Sequence, residues 1–193
     1  IEQFMDTKTI FGSSFSADGE RILFTSDESG IFNAYTIPVE GEEPVALTHS
    51  DSNSIFATSF FPEDNRILFR SDKGGNEIWQ IYLREEDGSI RNLTPYGEAR
   101  ALFYGWSRDQ KSFFFGSNER DPQYMDVYEM DIQSFEPTLI YQNDRGLDLG
   151  AISNDKRYMA FGKSITTNNS DMYLYDRESN ELKHLTPHEG DIN

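Results

Sequence analysis

Any chemistry in this chain would have to come from serines, three histidines and a surplus of carboxylates, because its 193 residues include no cysteine. The nearest approach to the serine-nucleophile motif Gly-x-Ser-x-Gly is Gly12-Ser13-Ser14-Phe15-Ser16, which lacks the closing glycine. That motif needs a strained strand-to-helix turn to present its hydroxyl, whereas this segment reads as the interior of a strand. His49, His184 and His188 fall in no zinc-binding spacing, and His49 and His184 flank a repeated phrase, which places them in surface turns. The phrase Asp72-Lys73-Gly74-Gly75-Asn76-Glu77 has the composition of a calcium loop without its alternating oxygen ligands, and a hairpin turn accounts for it. Carboxylates are too numerous for any pair to stand out as acid and base. The triplets Asn92-Leu93-Thr94 and Asn168-Asn169-Ser170 satisfy the glycosylation pattern, which arises often by chance. The expectation is a chain with no catalytic residue, no metal ligand and no cofactor.

The elements that would carry these residues recur with a period of 45 or 46. Phe15-Ser16-Ala17-Asp18-Gly19-Glu20-Arg21-Ile22-Leu23-Phe24 is matched by Phe60 through Phe69, and more loosely by Trp106 through Phe115 and Ile152 through Phe161. A second phrase closes each unit as Leu47-Thr48, Leu93-Thr94, Leu139-Ile140 and Leu185-Thr186. So constant a period is the mark of a repeat architecture. The units are expected at about 9–49, 54–95, 100–141 and 146–187, with 188–193 approaching a next one.

Each unit reads as four short strands. In the first, Ile10 to Phe15 is strand one, Ala17-Asp18-Gly19 supplies a hairpin turn, and Arg21 to Ser26 is strand two. Strand two and its counterparts Ile67-Leu68-Phe69, Phe113-Phe114-Phe115 and Met159-Ala160-Phe161 are apolar on both faces, so they call for cover on both sides. Serine and aspartate turns follow at Ser26 to Gly30, Ser71 to Gly75 and Ser117 to Asp121. Strand three is placed on Tyr35, Ile81, Val127 and Tyr173, each 12 residues before the closing leucine, and strand four is taken to end at that leucine. In strand one, Ser14, Ser59, Gly105 and Ala151 share one repeat position and are all small. Innermost strands of radially arranged sheets crowd toward a common axis where only small side chains fit. The fold class expected is therefore all-β, a β-propeller segment with four blades of four antiparallel strands each. Phe24, Phe69, Phe115 and Phe161 recur in phase and are assigned to packing between blades rather than to a ligand.

Aspartate and glutamate outnumber lysine and arginine 34 to 17, a formal charge of −17. That field repels phosphate backbones, so nucleic acid and anionic membrane surfaces are excluded as partners. It favours cationic ligands, free peptide amino groups among them. No apolar stretch reaches the roughly 18 residues of a membrane helix. The chain begins at Ile1 rather than methionine, which leaves room for a removed upstream segment, and its compartment, bacterial cytoplasm or periplasm, stays open.

The phrases Ser16 to Phe24, Ser26 to Gly30, Ala34 to Ile37 and Leu47-Thr48 resemble the repeat of the amino-terminal propellers of prolyl oligopeptidase-type serine peptidases and of the Tol-system propeller. The likeness covers essentially the whole chain, and the opening Ile1-Glu2-Gln3-Phe4 is more similar to the peptidase branch, particularly the acylaminoacyl-peptidase and dipeptidyl-peptidase group. The Ser-x-Asp-x-Gly-x-Thr-Trp turn of sialidases is a poorer match, since Gly19 comes one place early and no tryptophan follows. The resemblance implies that the four blades belong to a propeller of seven or eight that caps a carboxy-terminal α/β-hydrolase domain and admits oligopeptides. That domain and a peptide substrate are then the expected partners. Glu98, Arg100 and Asp148, on inner strands or the loops leading to them, are the expected substrate contacts. The alternative is a Tol-type protein-interaction module without peptidase activity. A propeller glycosidase or lyase would need inward carboxylates or histidines at matched positions on several blades, and the repeats show none. Four blades alone would leave two apolar sheet faces, from which pairing of two copies is expected.

Overall fold

The computed structural model describes residues 7–188, which form sixteen strands and no helix; the opening Ile1 to Phe4 and the stretch after His188 lie outside the described residues. Four sheets follow one another, each a four-stranded antiparallel meander. They are β1 (Ile10–Phe15), β2 (Arg21–Ser26), β3 (Asn33–Pro38) and β4 (Val45–Ala46); then β5 (Ile55–Phe60), β6 (Ile67–Ser71), β7 (Gln80–Arg84) and β8 (Ile90–Asn92). The third sheet holds β9 (Ala101–Trp106), β10 (Ser112–Ser117), β11 (Asp126–Asp131) and β12 (Pro137–Tyr141), and the fourth β13 (Asp148–Ile152), β14 (Tyr158–Thr166), β15 (Asn169–Asp176) and β16 (Glu181–His184). The chain divides after Phe103, within β9, into two compact units. β1 and β2 have the limits that the sequence predicts.

The first hairpin of the first, third and fourth sheets is set by a serine and an aspartate two residues apart, while in the second Asp64 alone accepts the Arg66 N–H at 3.0 Å. Ser16 Oγ donates to Asp18 Oδ1, which also accepts the Glu20 N–H at 3.0 Å, and the Arg21 N–H donates to Ser16 Oγ at 3.0 Å. Ser107 with Asp109 and Ser153 with Asp155 repeat this arrangement. The turn requires a left-handed residue, supplied by Gly19 (φ 74°) and then by Gln110 and Lys156 (φ 59° and 62°). All three carboxyls are held below their ordinary range, the serine hydroxyl being the largest cause each time. Asp109 is further held by Lys156, whose Nζ lies 3.0 Å from it and 2.8 Å from Glu129, bridging the third and fourth sheets. Asp72 closes its hairpin as expected, accepting the Glu77 N–H at 2.8 Å.

The register of strand three corrects the sequence alignment. Phe24 pairs with Tyr35, Phe69 with Tyr82, Phe115 with Tyr128 and Phe161 with Tyr173. The first three of these pairs stack, with ring centroids 5.8, 5.2 and 5.2 Å apart. Ile81 and Val127, predicted to match Tyr35, instead stand one place earlier and face the opposite way, because a one-residue slip exchanges the two faces of a strand. Ile81 thereby becomes the counterpart of Ala34. The paired tyrosine stands 12 residues before the closing leucine in the first and fourth sheets but 11 before it in the second and third, so a fixed count of 12 back from the leucine lands one residue early there.

Strand four does not end at the leucine. β4, β8 and β16 stop at the residue before it, and β12 runs on to Tyr141. The closing threonine explains the difference. Thr48 Oγ1 accepts the Ala34 N–H, Thr94 Oγ1 the Ile81 N–H and Thr186 Oγ1 the Met172 N–H, at 2.9, 2.9 and 2.8 Å. A hydroxyl thus takes the ladder bond that the ended strand leaves open. In the third sheet, where Ile140 has no hydroxyl, β12 continues and Tyr141 pairs with Val127 directly. Asn143 then donates its N–H to buried Asp126 at 2.7 Å, and Arg120 grips the same carboxylate with two bonds of 2.7 and 2.9 Å.

Each unit has a core shared by successive sheets. In the first, Leu23 and Ala34 pack with Ile55, Phe60, Ile67 and Phe69; in the second, Phe114, Val127, Ile140 and Tyr141 pack with Met159 and Phe161. Phe69 and Phe161 therefore sit between consecutive sheets, as their phase implies. The small first-strand residues also meet: Ser14 Oγ lies 3.3 Å from Ser59 Oγ and accepts the Phe60 N–H at 3.1 Å. Bulges in β1, β5 and β13 next to Ser14, Ser59 and Ala151 disturb the regular ladder. In β5 the neighbouring sheet's hydroxyls meet the N–H groups, since the Ala57 N–H finds Thr25 Oγ1 at 2.9 Å.

Two outcomes follow for stability. Thr94→Val keeps the shape of a fully buried side chain but orphans the Ile81 N–H, so it is expected to lower stability by about 1–3 kcal/mol, read as a fall in the urea midpoint. Asp109→Asn is expected to be destabilising near neutrality and progressively less so below pH 3.8, the ordinary carboxyl value. A carboxyl with a depressed folded pKa contributes stability above its unfolded pKa and loses it as the pH falls through the folded one; urea midpoints from pH 7 to pH 2 measure the convergence.

Candidate functional site

The expected contact residues are found at two places. Glu98 and Arg100 are exposed on the loop between β8 and β9, and Asp148 is exposed at the start of β13, its Cα paired with Gly162. Glu98 is one wall of a hollow of about 550 Å³ in the first unit, which Arg100 does not line. Its other polar walls include amides already engaged within the protein. Asn53 Oδ1 accepts the Gly74 N–H at 2.8 Å, Asn92 Nδ2 donates to Gln80 Oε1 at 2.5 Å, and Gln80 Nε2 donates to the Gly97 carbonyl at 3.2 Å. That hollow is a product of turn chemistry. Asp148 lines a separate hollow of about 560 Å³ in the second unit with Lys163 and Asp171. Nearby, the Tyr104 phenol has a raised pKa, from burial first and the charge of Asp148 second. Its ring lies directly on Gly116, where any Cβ would overlap it.

Two groupings escape sequence reading. The first is an aromatic row in the first unit. Phe11 meets Phe32 edge-on at 5.3 Å, Phe32 lies 5.2 Å from Phe56, and Phe56 meets Trp79 edge-on at 5.1 Å. The guanidinium of Arg70, on β6, lies over both Phe56 and Trp79, 5.3 and 5.2 Å from the ring centroids. The local cause is the chain path. Phe11 and Phe56 are second in β1 and β5, while Phe32 and Trp79 stand just before β3 and β7. The carbonyls of the latter pair accept the N–H groups of Ile55 and Ala101, at 2.9 and 2.7 Å, where the next first strand begins. The signal available was Phe11 and Phe56 at one repeat position.

The second grouping corrects the placement of His184 in a surface turn. His184 ends β16, stacks on Tyr173 at 4.5 Å and has Nε2 at 3.1 Å from Asp171. His188 Nδ1 lies 3.3 Å from the same carboxylate, and its Nε2 is 2.8 Å from Asn169 Oδ1. The Asp171 carboxyl is held below its ordinary range, His184 being the largest cause. Because Asp171 also accepts a bond from Thr186 at 3.3 Å, the group ties β15 to the closing segment. Neither histidine is hydrogen-bonded to a serine hydroxyl among the described residues, and no group of three metal-ligating side chains converges among them.

With this geometry in hand, known proteins offer a comparison. No family model matches the chain. Dipeptidyl aminopeptidase BIII of Pseudoxanthomonas mexicana is 26% identical over 132 residues, 67% of this chain and 19% of that protein, so the match spans about a fifth of the relative's length. Among solved structures, TolB of Acinetobacter baumannii superposes with a TM-score of 0.64 at 18% identity, over 95% of this chain and 45% of its own. A prolyl endopeptidase gives 0.66 at 13%, over 94% and 30%, and an oligogalacturonate lyase in complex with manganese gives 0.70 at 12%, over 94% and 54%. At these identities the structural likeness speaks for the fold alone. The chain is an all-β propeller segment, similar in fold to propellers of a prolyl endopeptidase and of TolB.

Proposed function

We propose that this chain is the non-catalytic propeller segment of a serine peptidase acting on oligopeptides, where it gates substrate access and scaffolds a hydrolase domain. The observation that carries the reading is the sequence match to a dipeptidyl aminopeptidase over 67% of the chain. The mechanism is steric. A rigid propeller beside the catalytic domain admits flexible peptides and rejects folded proteins. The charge of −17 adds a Coulomb preference for peptides with free amino groups, which salt screens over about 10 Å at 0.1 M. Glu98, Arg100 and Asp148, all exposed, are the proposed substrate contacts.

The Tol-type reading, a protein-interaction module without peptidase activity, draws support from the likeness of fold to TolB. The gene beyond Asn193 separates the two. Further blades followed by a Gly-x-Ser-x-Gly domain are expected for the peptidase, and a stop codon soon after a last blade would overturn it in favour of the interaction module. The chain on its own is further proposed to pair with a second copy through its end sheets. Sedimentation at micromolar concentration is expected to show a dimer; a single sharp monomer boundary would remove the pairing proposal and leave the peptidase reading standing.

A further inference from the structure

Arg70 differs in its surroundings from the other well-placed arginines of this acidic chain. Arg66 pairs with Asp64, Arg120 with Asp126 and Arg157 with Asp176. Arg70, exposed on β6, has neither an ion pair nor a side-chain hydrogen bond among the described residues, although the chain holds 34 carboxylates. It is held instead by the faces of Phe56 and Trp79. A cation–π contact fixes a guanidinium's position without using its five N–H donors.

Arg70 also lines a pocket of about 290 Å³ whose other walls include Phe11, Phe56, Ile81, Leu102 and Phe103. Its size lies near the lower end of the roughly 300–1,000 Å³ typical of ligand sites, enough for one large residue rather than a folded segment. Among the described residues the walls are aromatic and aliphatic, with the Thr58 hydroxyl the single neutral polar side chain and no carboxylate or amide side chain. A polyhydroxylated ligand would leave buried hydroxyls without partners there. An apolar side chain would be welcome, and the one charge it could bring is negative, opposite Arg70.

We infer that this pocket is a binding site for a carboxylate carried beside an aromatic or large apolar group, the chemistry of a peptide's carboxy-terminal residue. The planar guanidinium takes the carboxylate in a bidentate pair, while the side chain lies against Phe11, Phe56 and Phe103. The site is independent of whether the parent protein is a peptidase or an interaction module. It also gives the chain a place for an anionic end, in contrast to the amino-group preference that its net charge produces elsewhere.

The test is a titration of the full chain with N-acetyl-phenylalanine and with its carboxamide, followed through tryptophan emission, since Trp79 touches Arg70. The acid is expected to bind with a Kd of about 10 mM or tighter and the amide about tenfold more weakly. Arg70→Gln is expected to abolish the preference for the acid, and Arg70→Lys to retain part of it. Both variants should keep a single cooperative urea transition with a midpoint close to that of the wild type, as expected for an exposed position. Equal affinity for acid and amide, a preference that survives Arg70→Gln, no binding of the acid, or galacturonate binding as tightly as the acid would each overturn the proposal.

Discussion

Every sheet here has a second strand that is apolar on both faces, and no such strand can rest against water on either side. Phe113, Phe114 and Phe115 are consecutive and at most 6% exposed, as are Ile67, Leu68 and Phe69. Burying one such side chain stabilises by roughly 1.5–3 kcal/mol, so a sheet stripped of a neighbour would forfeit several side chains' worth at once. The demand is met by stacking. Leu23 from one sheet and Phe69 from the next share a core, and so do Phe114 and Phe161. Repetition of the sequence follows from repetition of this need.

Close stacking brings a second requirement, which is that the backbone at each sheet's edges stay satisfied. At the first strands the bulges disturb regular pairing where two sheets approach. Ser14 and Thr25 then do more than fit the space, because their hydroxyls accept the Phe60 and Ala57 N–H groups of the next sheet. At the outer edge the same logic operates through Thr48, Thr94 and Thr186. The third sheet shows that the requirement is for a partner rather than for threonine. With isoleucine at that place, β12 lengthens by pairing Tyr141 with Val127, and Asp126 with Asn143 and Arg120 closes the edge.

Charge is distributed with the same economy. Carboxylates that do structural work are tied to serine hydroxyls, backbone N–H groups, arginines or, for Asp171, histidines, and seven aspartates have their pKa held down by such bonds. The remainder form a solvated acidic surface. Against that background a guanidinium seated on two aromatic rings and left without a carboxylate among the described residues is the feature that packing does not account for, and it lies where Phe11, Phe56 and Trp79 form a wall.

From sequence alone came the repeat period, the limits of β1 and β2, the Ala17-Asp18-Gly19 hairpin and the shared position of Ser14 and Ser59, because each rests on local chemistry or on a spacing that the chain keeps constant. Gly19 after Asp18 marks a turn wherever it stands in space, whereas the left-handed backbone of Gln110 and Lys156 is seen only in the structure. What depends on distances the chain does not conserve was decided only by the tertiary structure. Tyr35, the partner of Phe24, precedes its closing leucine by 12 residues, whereas Tyr82 and Tyr128, the partners of Phe69 and Phe115, precede theirs by 11. Counting from the closing leucine therefore chose Ile81 and Val127, one residue out of register. Arg70, Phe32, Phe56 and Trp79 likewise come from different strands and loops, and no spacing announces that they meet. His184 joins Asp171 and Tyr173 only because β15 and β16 pair. Local hydrogen bonding is written in neighbouring residues, whereas a site assembled from separate strands exists only after the sheets have chosen their register.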